Sequence, residues 1–151
     1  MDEERAEVKV IFEKEEKLKA YELSNYLYNL KVIYTYLFEN REMTERYSTW
    51  SFEEIEGQEA EIREDLIESL ELPIQEQKNT FFWKNLDSDE LEIVEISKEN
   101  PWICLCEGIV YLIVLSLILS GGELEVSPDG FRVKLNSLGE GLKKLKEVFQ
   151  E

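Results

Sequence analysis

One stretch limits what this chain can fold into more than any other: "NPWICLCEGIVYLIVLSLILSGG", residues 100–122. It is almost wholly apolar, and Glu107 is its one charge. Asn100 and Pro101 read as a helix start, capping residue then first-turn proline. Gly121 and Gly122 read as a stop. The run therefore predicts an almost fully apolar helix over 101–120, about 30 Å long at 1.5 Å per residue. On such a helix Cys104 and Cys106 point about 200° apart and neither bridge nor share a metal.

An apolar helix of that length has three fates. It crosses a bilayer as a single span over 102–120, it is buried within its own domain, or it leaves an apolar face for another copy. Three features oppose the span. Glu107 would enter hydrocarbon at a cost of a few kcal/mol. Strand-like segments flank the run on both sides. The basic residues Arg132, Lys134, Lys143, Lys144 and Lys146 follow it, while Asp87, Asp89, Glu90, Glu92 and Glu95 precede it, which would export the large acidic part. The preferred expectation is a self-associating face built from Trp102, Ile103, Cys104, Glu107, Gly108, Tyr111, Leu112, Ile113 and Leu115. Cys104, Glu107, Gly108 and Tyr111 would form one stripe, with Glu107 needing a donor.

The flanks supply a sheet and more helices. Val8, Val10 and Phe12 alternate as in a half-buried strand. Leu23, Tyr26, Leu27, Leu30, Ile33, Tyr34 and Leu37 recur at helical spacing, with Tyr21, Tyr28 and Tyr36 off that stripe. Phe81, Phe82 and Trp83 read as a seal for one end of the core. In "LEIVEIS", Leu91, Ile93, Val94 and Ile96 fall on both faces, the pattern of a central strand. "ELEVSPDGFRVKL" is a hairpin around Ser127–Gly130, setting Glu125 against Arg132 and Glu123 against Lys134. Asn136 or Ser137 caps a last helix lined by Leu138, Leu142, Leu145 and Phe149.

The result is a single α+β domain over 1–151: a small mixed sheet of about four strands and three to four helices. Within it, 89–151 reads as a strand, apolar helix, hairpin and helix unit, and 41–80 as an acidic helical insertion. From Glu42 to Glu76 the chain has twelve carboxylates against Arg46 and Arg63. Ser51 and Glu54 have the spacing of a capping box, and the helix that follows, weakened by Gly57, stops before Pro73. Glu53, Glu54, Glu61, Glu64, Asp65 and Glu68 form either a solvated face or an acidic recognition surface.

Charge narrows the function classes. There are 34 acidic and 17 basic residues, a net charge of −17, and no histidine. Such a surface repels phosphate backbones, so no direct nucleic-acid binding is expected. It suits a basic protein partner. Without histidine the commonest general base and metal ligand is missing, and no G-x-S-x-G, P-loop or dinucleotide fingerprint occurs. No catalytic residue, metal or cofactor is expected. The N-terminal "MDEERAEVKV" opens no apolar run, and two cysteines in apolar surroundings suit a reducing cytoplasm. The expectation is a non-catalytic, cytoplasmic scaffold or regulatory protein that forms homo-oligomers. The alternatives are a membrane-anchored protein and an acidic inhibitor, mimicking nucleic acid, of a basic partner.

Overall fold

Alternation at Val8, Val10 and Phe12 does build a strand, and it becomes the middle of the sheet. The computed structural model describes residues 5–14, 17–72, 78–98 and 101–149. Pro73, Asn100 and the side chain of Phe149, which the sequence reading used, lie outside the described residues. The five strands are β1 (Arg5–Phe12), β2 (Glu92–Lys98), β3 (Trp102–Ile109), β4 (Glu123–Ser127) and β5 (Gly130–Leu135). Their order is β2-β3-β1-β5-β4. β1 runs antiparallel to β3 and parallel to β5, which makes the sheet mixed. The fold is therefore α+β, with one strand more than expected.

Seven α-helices are described: α1 (Ala20–Glu39), α2 (Arg41–Thr44), α3 (Phe52–Ile55), α4 (Glu59–Ser69), α5 (Lys78–Phe82), α6 (Val110–Leu119) and α7 (Leu138–Phe149). The α1 stripe of Tyr26, Leu30, Ile33, Tyr34 and Leu37 is buried. Two of its off-stripe tyrosines meet α5, Tyr28 stacking on Phe82 at 4.6 Å and Tyr36 meeting Phe81 edge-on at 5.2 Å, while Tyr21 is exposed. Phe81 seals the core as expected, whereas Trp83 is largely exposed. Alternate residues of the sheet's other face, Glu7, Lys9, Glu95, Glu123 and Arg132, meet solvent.

The apolar run is not one helix. Residues 102–109 are β3, and only 110–119 are helical. A continuous apolar stretch does not distinguish buried strand from buried helix by periodicity; pairing decides it here. β3 bonds to β1 along one side and to β2 along the other, which satisfies its backbone and turns Glu107 outward beside Arg5, Nε to Oε1 3.6 Å. Gly108 lets Tyr34 close over the strand's end, since a Cβ there would stand 2.9 Å from the tyrosine Oη. Pro101, directly before β3, therefore does not open a helix. At ten residues α6 is about 15 Å long, and no helix among the described residues is long and apolar enough to cross a membrane. Residues 102–120 therefore do not form the single helix expected of a span.

Nor does 51–70 form one helix. Gly57, at φ +85, separates α3 from α4. The capping box of Ser51 and Glu54 is present on α3. The hairpin register is as read, Glu125 opposite Arg132 and Glu123 opposite Lys134. The Lys134 ammonium, though, bonds Glu125 (2.7 Å) and Glu13 (2.6 Å). Ser137 caps α7, its Oγ accepting from the Glu140 N–H at 3.1 Å.

Candidate functional site

The residues expected to form an oligomer face are mostly spent inside the chain. Leu112, Ile113 and Leu115 are fully buried in α6, and Ile103, Cys104, Cys106 and Gly108 are buried in β3. Trp102, Glu107 and Tyr111 are half-buried. The stripe of Cys104, Glu107, Gly108 and Tyr111 does not exist, because a strand sends Cys104 and Glu107 to opposite faces. Glu107 instead forms a long ion pair with Arg5 of the same chain. The cysteine geometry also reverses. Two residues apart on a strand, Cys104 and Cys106 share a face, with Sγ atoms 3.8 Å apart. The neighbouring sulfur and burial push the Cys106 thiol up from its ordinary range. Among the described residues, no group of three or more His, Cys, Asp or Glu is placed to hold a metal ion.

The acidic residues divide by use. Glu54 closes the capping box. Asp65 accepts from Arg46 and from the Tyr47 hydroxyl. Glu53, Glu61, Glu64 and Glu68 are exposed. The sequence reading missed Glu56 and Glu59. Glu59 Oε2 accepts from the Leu124 N–H at 2.9 Å, and Glu56 Oε2 from the Val126 N–H at 3.0 Å. Arg63, the other base of the segment, docks α4 on α6 by donating to Leu119 O at 3.1 Å and pairing with Glu147 at 3.3 Å.

What remains open is β2. Its apolar two-faced pattern suggested a central strand. Instead it is an edge strand, paired among the described residues with β3 alone. Ile93 and Val94 are 38% and 48% exposed. The ladder slips between Ile93 and Glu95, then runs regularly from Glu95 to Lys98. Side chains fix the approach to this strand. Lys31 reaches both oxygens of Glu90, at 2.6 and 2.7 Å, and Glu90 also accepts from the N–H groups of Leu86 and Leu91. The Tyr34 hydroxyl donates to Asp89 O at 2.6 Å and accepts from the Ile109 N–H at 2.9 Å. Burial pushes that phenol up to about 12, so it keeps the proton it donates. On the solvent face Arg5 bonds Glu92 at 2.8 Å. A strand carrying two exposed apolar side chains is thus held in place, with no further strand on its outer edge among the described residues.

No protein family, curated protein or solved structure matches this chain. The functional reading rests on the geometry of the two sheet edges and on the charge.

Proposed function

We propose that this chain is a non-catalytic interaction module, of scaffold or regulatory type, whose copies associate through β2. The observation that carries this is an edge strand that leaves Ile93 and Val94 exposed, with no other strand on its outer side among the described residues. An uncovered edge offers a row of backbone donors and acceptors to another strand, and a two-fold pairing of like edges is self-complementary. Beyond the slip, the segment Glu95–Lys98 can meet its own copy antiparallel about Ile96. Ile96 then faces Ile96 of the second copy, and Glu95 faces Ser97, so no like charges stand opposite each other. Self-association therefore remains the leading reading, moved from the apolar run to the strand beside it.

Salt tests it. Two chains of −17 repel, so screening should tighten the complex. We expect light scattering to give a dimer whose dissociation constant falls with added salt. Val94→Lys, which puts a charge on the edge, should weaken the dimer at least about tenfold, the equivalent of 1.4 kcal/mol. A wild-type chain that stays monomeric and folded at high salt would end this reading. The exposed row of Glu61, Glu64 and Glu68 along α4 favours a second one, a basic protein partner. Salt would loosen that complex instead.

A further inference from the structure

β4 is also an edge strand, yet it is not open. In the hairpin, Leu124 faces Val133 and Val126 faces Phe131. The N–H groups of Leu124 and Val126 point away from β5, and each meets a carboxylate, Glu59 for the first and Glu56 for the second. Two residues along a strand span about 6.8 Å, the interval at which a neighbouring strand would present its carbonyls. The two glutamates stand where those carbonyls would be.

The corner that carries them is built to aim them. Ser51 and Glu54 start α3 with reciprocal side-chain bonds. The Phe52 ring packs on Phe131 of β5 at 3.9 Å, fixing α3 against the hairpin. Gly57 then reverses the chain at φ +85, and its N–H bonds the same Glu59 oxygen that Leu124 uses, at 3.2 Å. Buried Ile55 and Ile62 anchor the corner from either side.

We propose that the α3–α4 corner is a guard on the β4 edge, and that the occupant it excludes is the open β2 edge of a second copy. This rests on the reading of β2 given above. A β2-to-β4 contact joins unlike surfaces, so each copy can add the next and assembly runs on into a ring or an open chain of molecules. With β4 guarded, each copy has one pairing edge, and assembly stops at a two-fold pair. The acidic segment, on this view, works on its own sheet.

The test is the full chain carrying Glu56→Ala and Glu59→Ala. Amide exchange at Leu124 and Val126 should rise about tenfold, the scale of one lost charge-assisted hydrogen bond. Light scattering should show assemblies larger than the wild type's that grow with concentration, and adding Val94→Lys should stop that growth. Glu56→Gln with Glu59→Gln keeps an acceptor oxygen at each position and should keep the wild-type mass. Faster exchange at Leu124 and Val126 with no gain in mass would overturn the guard, as would unchanged exchange. If the wild type is a monomer, the β2 reading fails, and the guard then stands only if the alanine variant associates. Should the double variant not fold, Glu56→Ala alone, at an exposed position, gives the same readouts at Val126.

Discussion

The two edges of this sheet are finished in opposite ways. At β4, carboxylates from a separate helical corner take the outward N–H groups of Leu124 and Val126. At β2, the approach is clamped by Lys31 and Tyr34, but Ile93 and Val94 face solvent. Both edges end the same hydrogen-bonded ladder, so the difference lies in what the rest of the chain brings to them. An edge is closed to other chains when its donors are already engaged, whatever the polarity of the strand. β4 shows that side-chain carboxylates can engage such donors without a further strand.

The largest expected effect tests whether the contrast is local. Ile113 is fully buried in α6, so Ile113→Ala should cost about 2–5 kcal/mol, visible as a lower unfolding midpoint. Because α6 packs under β1, β3 and β4, and β2 hangs on β3, amide exchange at both edges should speed up together; a change confined to one edge would mean that the edges draw on separate cores. A smaller, one-sided effect is expected from Ser51→Ala. Losing the capping box should cost about 0.5–2 kcal/mol and raise exchange at Leu124 and Val126 while leaving β2 unchanged. The smallest effect is proton-linked. Hydrogen bonds from Lys134 and Arg132 hold the Glu125 carboxyl below its ordinary range. A lowered folded-state value stabilises above the unfolded value and is lost as pH falls through the folded one. The β4–β5 hairpin should therefore loosen modestly in acid, and Glu125→Gln should flatten that dependence in exchange measured across pH.

Local signals were legible in the sequence where they are self-contained. The β1 alternation, the α1 stripe, the Ser51–Glu54 box and the hairpin with its Glu125–Arg132 pair all depend on residues close together in the chain. The apolar run was misread because its first half is shaped by strands 90 residues upstream and a few residues before it: Val8 pairs with Cys106, and Ile93 pairs with Cys106 from the other side. β2 was misread for the converse reason. Two-faced apolarity normally reports cover on both sides, and among the described residues Ile93 and Val94 lack it. Glu56 and Glu59 carry no distinguishing mark among twelve carboxylates from Glu42 to Glu76; only their distances to β4 single them out.

The parallel neighbouring of β1 and β5 sets a timetable for biosynthesis. β1 precedes both of its partners in the chain, residues 102–109 on one side and 133–135 on the other. Everything from α1 to β2 must leave the ribosome before the central strand has either neighbour. Such long-range closure slows folding and leaves a nascent strand bare on both flanks. The acidic stretch that follows α1 is complete well before those partners arrive, so the growing chain is already highly charged during the interval when its middle strand waits.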